Sequence, residues 1–128
     1  MSIRILVIED NPLNMELVLA ILEDFADRLT VTVAVDGQEG LERFNEINPQ
    51  IVLLDMQLPG IDGFTLARKF KEINTETIIV GLTAYAMVGD KERVLEAGCD
   101  YYLAKPLEIA DFKHLISVLI GTEGLHEK

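Results

Sequence analysis

Two apolar segments of the chain run directly into acidic side chains. Residues 3–8 lead into Glu9 and Asp10, and residues 51–54 lead into Asp55. A continuous apolar run of this length predicts a strand covered on both faces, as in parallel sheets. Ligands of open parallel α/β sheets bind outside the carboxyl ends of the strands. We therefore expect the three carboxylates to face a site of binding or chemistry.

Two further predicted strands end in polar residues of a useful type. Residues 77–83 end in Thr83, and residues 101–104 are followed by Lys105. If these strands are parallel, all four ends meet at one edge of the sheet. The three carboxylates at that edge repel one another, and a hard cation removes the conflict. The cluster therefore predicts Mg²⁺, with Mn²⁺ as the alternative ion.

Asp55 is placed to act as a nucleophile toward a phosphoryl group. A carboxylate that attacks phosphorus forms an acyl phosphate, which is a recognised covalent intermediate. Such a transfer requires positioning and neutralisation of the phosphoryl charge. The metal, the Lys105 ammonium and the Thr83 hydroxyl supply both. The sequence contains no Ser-His or Cys-His pair that indicates a competing chemistry.

Each of these residues also has a plain structural interpretation. Asp10, which precedes Asn11 and Pro12, is a candidate helix cap. Thr83 on its own is a common strand residue, and Lys105 on its own is most often a solvated surface residue. Jointly, these readings require acids, a hydroxyl and a lysine to meet at one sheet edge by chance. We therefore favour the functional interpretation.

Five predicted strands alternate strictly with helices and position these residues. The strands cover residues 3–8, 30–35, 51–54, 77–83 and 101–104. This alternation predicts a parallel sheet with helices on both faces, and five strands favour the flavodoxin-like order 2-1-3-4-5. We expect a (βα)5 three-layer α/β sandwich over residues 1–121, followed by a short polar tail at 122–128 and no output domain.

Apolar residues at helical spacing predict the core face of each helix. They are Leu17, Val18, Ile21, Leu22 and Phe25 in the first; Leu41, Phe44 and Ile47 in the second; Phe64, Ala67, Phe70 and Ile73 in the third; and Phe112, Leu115, Ile116 and Leu119 in the last. The fourth helix, near residues 90–97, is mostly charged. A helix anchored this weakly can shift at low cost.

The composition limits the classes of function. The 128 residues include 22 acids and 11 bases, for a net charge of −11. Nucleic-acid binding is disfavoured, because phosphate contacts need a basic surface. No segment has the pattern of a membrane span or a signal peptide, so we expect a cytoplasmic protein without membrane contact. The single Cys99 excludes an internal disulfide, and we expect it to be buried.

The motifs at the strand ends resemble those of the receiver domain of two-component response regulators. They are residues 9–11 (Glu-Asp-Asn), 53–63, 82–84 (Leu-Thr-Ala) and 105–106 (Lys-Pro). The resemblance extends from Ile3 to about Leu119, and the set in this order is far more specific than any one motif. The chain looks closest to single-domain regulators of the DivK kind and to receivers of hybrid histidine kinases.

The resemblance implies that Asp55 accepts a phosphoryl group from a phosphohistidine. The donor is then a histidine kinase or a histidine phosphotransfer protein. Glu9, Asp10 and the main-chain carbonyl of Gln57 organise Mg²⁺, with Asp10 and Asp55 as the direct carboxylate ligands. Partner kinases of this family contact the first helix. For that reason we favour a docking role for Met15 and Leu19 over an ordinary exposed position.

The resemblance also implies how the signal is read. Thr83 and Lys105 bind the phosphoryl oxygens, and Tyr102 matches an aromatic switch position whose ring moves inward as Thr83 moves. The Lys105–Pro106 peptide is then cis, although general frequencies favour trans. A target protein binds the face formed by the fourth helix, the fifth strand and the fifth helix.

The main hypothesis is a single-domain response regulator that signals by phosphorylation-dependent protein binding. It is not an enzyme for an external substrate and catalyses only its own Mg²⁺-dependent phosphoryl transfer and dephosphorylation. One alternative is an aspartyl-phosphate phosphatase, but such enzymes typically need a second Asp where Gln57 stands. A receiver fragment of a hybrid histidine kinase is another alternative. A degenerate binding module is disfavoured by the complete set of acids, Thr and Lys.

Overall fold

The computed structural model describes residues 2–84 and 90–126, in which strands and helices alternate. The strands are β1 (Ile3–Ile8), β2 (Leu29–Ala34), β3 (Ile51–Asp55), β4 (Ile78–Thr83) and β5 (Tyr101–Ala104). The helices are α1 (Pro12–Leu22), α2 (Gly37–Ile47), α3 (Gly63–Ile73), α4 (Asp90–Glu96) and α5 (Ile109–His126), with a 3-10 turn at Glu23–Phe25. In the described ranges, no helix has both the length and the apolar character needed to cross a membrane.

All strands of the sheet are parallel and lie in the order β2-β1-β3-β4-β5. This confirms the predicted flavodoxin-like topology. The register pairs Ile8 of β1 with Leu54 of β3, so these two strands end side by side. The same alignment pairs Thr83 of β4 with Ala104 of β5. The ends of four strands therefore share one edge of the sheet, as the sequence pattern predicted.

The core has two layers, because successive side chains of each strand point to opposite faces. On one face, Ile5 and Val7 of β1 pack with α1 and α5, including the fully buried Phe112. On the other face, Phe44 of α2 and Phe70 of α3 stack with ring centroids 4.3 Å apart. Every residue of β3 is buried. Both faces of the central strands are thus covered, as their continuous apolar runs require.

Several boundaries differ from the sequence prediction. Strand β2 begins and ends one residue earlier than expected. Ile3 of β1 pairs with Leu29, and the N–H of Ile3 donates a hydrogen bond to the carbonyl of Arg28. Helix α1 ends at Leu22, so Phe25 reaches the core from the following 3-10 turn. Helix α5 continues to His126 and includes part of the segment expected to be a tail.

The predicted core faces are largely correct, with one clear error. Ile73 was expected to be buried, but it ends α3 and is 51% exposed. The spacing of apolar residues along a helix does not show how far the sheet beneath it extends. In α5 the buried set also includes Ile120, while Leu115 is only partly buried. Cys99 is buried as predicted.

The start of α1 leaves Asp10 available to the sheet edge. The side chain of Asn11 caps this helix by accepting hydrogen bonds from the N–H groups of Leu13 (2.9 Å) and Asn14 (3.1 Å). Pro12 occupies the first helical position, where its missing N–H costs nothing. Asp10 is therefore not the helix cap, and its carboxylate is exposed directly after β1.

The start of α3 packs against the end of β3 through Gly63. A Cβ atom on this residue would lie 2.5 Å from the Cα of Met56 and 2.8 Å from the carbonyl oxygen of Asp55. Both neighbours are backbone atoms that cannot move aside without shifting the strand end. The absence of a side chain at Gly63 thus allows α3 to begin against the backbone of Asp55 and Met56.

We expect Gly63→Ala to lower the free energy of unfolding by about 1–3 kcal/mol, because the added methyl group overpacks this contact. Urea unfolding measures the change. Gly121→Ala is the matched control: nothing lies within 4 Å of its added Cβ. As a helical substitution, it should stabilise the protein by about 0.5–1 kcal/mol. Equal effects of the two substitutions would contradict the packing role of Gly63.

Candidate phosphoryl and metal site

Three carboxylates meet at the carboxyl edge of the sheet. One oxygen atom from each of Glu9, Asp10 and Asp55 lies within 4.8 Å of the others. Glu9 and Asp55 are 1% and 2% exposed, whereas Asp10 is open to solvent. The topology thus brings together acids that are far apart in the sequence. It also leaves one of them accessible from outside.

Lys105 bridges the two buried acids. Its Nζ lies 2.9 Å from Glu9 Oε1 and 3.2 Å from Asp55 Oδ2, and its side chain is only 16% exposed. It is therefore not a solvated surface lysine. The peptide between Lys105 and Pro106 is cis, as the family resemblance implied.

The two buried carboxyl groups differ in charge state. Burial, together with a hydrogen bond shared with Asp55, raises the pKa of Glu9 to about 7, despite opposing contacts with Lys105 and the N–H of Asn11. Burial also acts to raise the pKa of Asp55. The contacts with Glu9, the N–H of Gln57 and Lys105 outweigh this effect and lower it. Asp55 is thus ionised, as a nucleophile must be, while Glu9 titrates near neutral pH.

The ammonium group of Lys105 stays charged in this setting. Burial acts to lower its pKa, but the contacts with Glu9 and Asp55 outweigh burial and raise it. A fixed positive charge therefore stands beside the carboxylate of Asp55. Such a charge also suits the binding of an anionic phosphoryl oxygen.

Gln57 connects this cluster to the end of β4. Its backbone N–H donates to Asp55 Oδ1 (2.9 Å), and its side-chain Nε2 donates to Thr83 Oγ1 (3.1 Å). Its Oε1 accepts a hydrogen bond from the N–H of Ala84 (3.0 Å). From the sequence we expected only its main-chain carbonyl to take part. No local sequence signal indicates the side-chain contacts, because they depend on how β3 lies beside β4.

The donor set fits a hard divalent cation. All three side chains offer carboxylate oxygens, which are the ligands that Mg²⁺ prefers. The exposed position of Asp10 leaves room for the water molecules that this ion usually keeps. Glu9, Asp10 and Asp55 are therefore the side chains that would hold a divalent metal.

Tyr102 lies on β5, three residues before Lys105. Its ring is partly buried against the core, and Lys91 Nζ of α4 lies 5.9 Å from the ring centroid. Tyr101, the neighbouring residue, is 41% exposed. The two tyrosines therefore have different environments, as strand alternation predicted. Residues 85–89, which follow the 82–84 motif, lie outside the described residues.

The fold and the cluster define a class of protein: a flavodoxin-like α/β domain with acids and a lysine at the carboxyl edge of its sheet. The sequence profile of the response regulator receiver domain matches residues 5–117, so the chain belongs to that family. Receiver domains act as phosphoacceptors in two-component signalling.

Similar proteins include both stand-alone regulators and parts of larger kinases. The polar-differentiation response regulator DivK of Brucella ovis is 31% identical over 123 residues, which are 94% of this chain and 98% of DivK. The histidine-protein kinase BarA of Escherichia coli K12 is 33% identical over 110 residues, 84% of this chain but 12% of BarA. Hybrid signal transduction histidine kinase G of Dictyostelium discoideum is 33% identical over 119 residues, 91% of this chain and 4% of that kinase.

Two solved structures are informative neighbours. The receiver domain of a sensor histidine kinase from Pseudomonas aeruginosa has a magnesium ion coordinated in its active site cleft. It is 32% identical with a TM-score of 0.83, and the match covers 94% of this chain and 99% of that one. The Saccharomyces cerevisiae receiver domain of Ssk1, crystallised with the histidine phosphotransfer protein Ypd1, is 28% identical with a TM-score of 0.77. That match covers 87% and 83% of the two chains.

The raised pKa of Glu9 predicts how the stability of the metal-free protein depends on pH. The group titrates at 4.5 when unfolded and at about 7 when folded. Its stabilising contribution is therefore complete below the lower value and is lost as the pH rises through the higher one. Glu9→Gln carries no such contribution. Relative to wild type, this variant should gain stability between about pH 5 and about pH 8.

Urea unfolding in the presence of a chelator measures this difference. Glu72→Gln, on the exposed side of α3, is the control and should follow the wild type at both pH values. Parallel loss of stability in wild type and Glu9→Gln over this range would contradict the assignment.

Proposed function

We propose that Asp55 is the phosphoacceptor of a single-domain response regulator and takes its phosphoryl group from a phosphohistidine. The observation that carries this proposal is the buried, ionised carboxylate of Asp55, held between the Lys105 ammonium and a cluster of metal-binding acids. In the reaction, a carboxylate oxygen forms a bond to phosphorus as the bond from phosphorus to the histidine nitrogen breaks. The imidazole leaves with that electron pair.

Residues of this chain have separate roles in that step. The lysine ammonium binds one phosphoryl oxygen, and the hydroxyl of Thr83 binds another. Glu9, Asp10, Asp55 and the main-chain carbonyl of Gln57 hold Mg²⁺, or alternatively Mn²⁺. When bound, this ion supplies further neutralisation of the phosphoryl charge. The same groups support hydrolysis of the acyl phosphate, so the protein catalyses only its own phosphorylation and dephosphorylation.

The phosphohistidine donor docks beside the site, on α1. A groove of about 370 Å³ opens directly next to the carboxylates, and it is lined by Glu9, Asp10, Pro12, Met15, Glu16, Leu19 and Val35. The apolar members suit the face of a helix in a phosphotransfer protein. The likeness to a receiver domain crystallised with such a protein supports this placement.

The output surface is the face formed by α4, β5 and α5. A cavity of about 310 Å³ there is lined by Lys91, Leu95, Asp100, Tyr101, Tyr102, Leu103 and Leu115. Tyr102 lines this cavity and also packs against the core. We expect its ring to follow the movement of Thr83 during phosphorylation and to change the surface. The likeness to DivK along 98% of its length supports a regulator that acts alone, and we propose that it does so in the cytoplasm. Its output is then the binding of a target protein.

We expect Asp55→Asn to abolish labelling by a small-molecule phosphoryl donor in the presence of Mg²⁺, because an amide cannot form the acyl phosphate. Intact-protein mass spectrometry detects the added phosphoryl group in the wild type. Asp36→Asn is the matched control, since Asp36 is an exposed cap of α2 and asparagine caps equally well. Equal labelling of Asp55→Asn and wild type would refute the proposal.

The α1 groove predicts a donor-specific defect. Leu19→Ser should slow transfer from a phosphorylated histidine phosphotransfer protein by about fivefold to tenfold, the effect of losing one well-packed interface contact. Labelling by a small-molecule donor should be unchanged, because the site itself is intact. Ile73→Ser, an equally simple change of an exposed residue at the far end of α3, should affect neither reaction. A similar loss with both donors would argue against docking at α1.

A further inference from the structure

The side-chain amide of Gln57 occupies the space between the phosphoacceptor and the end of β4. The backbone N–H of Gln57 donates a hydrogen bond to Asp55 Oδ1 at 2.9 Å. Its carboxamide reaches away and contacts two consecutive residues, Thr83 and Ala84. One residue therefore links the reacting carboxylate to the segment that leads toward α4.

Chemistry fixes the orientation of this amide. The backbone N–H of Ala84 can only donate, so the carboxamide oxygen must face it. The amide nitrogen then faces Thr83 Oγ1, which accepts its hydrogen bond at 3.1 Å. Thr83 is 2% exposed, whereas the contact with Ala84 lies at the surface. Hydrogen bonds of a residue as buried as Thr83 are costly to lose without a replacement.

The carboxamide oxygen makes the kind of contact that an anionic oxygen would make. A main-chain N–H and a neighbouring hydroxyl form a common pair of groups for binding a phosphoryl oxygen. In the present arrangement both groups interact with Gln57 instead. A phosphoryl oxygen on Asp55 that accepts the N–H of Ala84 must therefore displace the carboxamide oxygen. At Thr83 the amide donates to the hydroxyl oxygen, so this contact holds Thr83 in place and does not compete for its O–H.

We propose that the carboxamide of Gln57 is an internal competitor for the phosphoryl group and holds Thr83 and Ala84 in the unphosphorylated arrangement. This inference rests on the proposed function, in which Thr83 binds a phosphoryl oxygen. Gln57 is thus a positioning residue that acts through Thr83. The hydrogen bonds of the resting arrangement reduce the net affinity for the phosphoryl group by favouring the state that does not bind it.

Binding of beryllofluoride, a phosphoryl mimic, at saturating Mg²⁺ tests this inference in the full chain by calorimetric titration. Gln57→Met keeps the length of the side chain and removes both amide contacts. It should bind the mimic about fivefold to tenfold more tightly than wild type, as expected for the loss of one or two net hydrogen bonds from the resting state. Gln38→Met is the control: its amide contacts Glu42 on the surface of α2, and its affinity should match wild type.

Two further measurements separate a positioning role from a general structural one. Binding of Mg²⁺ alone is measured for both proteins, so that their affinities for the mimic are compared at equal metal occupancy. In a Thr83→Ala background the gain from Gln57→Met should shrink, since one of its two contacts is already absent. Gln57→Ala provides a second variant, with thermal unfolding as the check that each protein folds.

The outcomes distinguish this inference from the proposed function. If wild type binds the mimic but both Gln57 variants, once shown to be folded, bind it equally or more weakly, the competitor role is wrong. An equal gain in the presence and absence of the Thr83 hydroxyl would also overturn it. If wild type binds beryllofluoride no better than Asp55→Asn does, the proposed function itself fails.

Discussion

The contact of one lysine with two buried acids is the interaction on which the site depends. Glu9 and Asp55 are almost fully removed from water. In the protein interior, a pair of carboxylates is costly unless a positive charge or a proton compensates. Lys105 supplies that charge at 2.9 and 3.2 Å. The same ammonium is what an incoming phosphoryl oxygen requires. The group that stabilises the resting site is therefore also equipped for its chemistry.

Parallel strand register brings these groups together. Because β1 and β3 end side by side, acids that follow them share one crevice, and β4 and β5 add Thr83 and Lys105 at the same edge. Small features refine the position of each group. Asn11 caps α1 and leaves Asp10 in solvent, while Gly63 allows α3 to begin in contact with the backbone of Asp55. The register of the sheet thus determines which residues meet at the site. The helix cap and the close contact at Gly63 determine the local positions of their neighbours.

Hydrogen bonding connects the charge cluster to the end of β4. Asp55 is bonded to the N–H of Gln57, whose amide is bonded to Thr83 and to the backbone that continues toward α4. Tyr102 stands on the neighbouring strand, partly buried and close to a lysine of α4. A change of charge at Asp55 therefore acts on contacts that extend to Thr83 and Ala84. Such coupling of a local electrostatic change to a movable element is a common basis for signalling switches.

The sequence by itself determined the order of the elements, the strand-end residues and the family, because apolar periodicity, turns and caps are local properties of the chain. Tertiary structure decided the burial of individual residues and the contacts between residues far apart in the sequence. The spacing of Ile73 predicted burial, but only packing shows that α3 ends beyond the core. The pairing of Lys105 with Glu9 joins residues 96 positions apart, and the amide of Gln57 reaches Thr83 across 26. Distances, burial and the pKa of Glu9 follow from such contacts, which exist only after the strands have assembled in register.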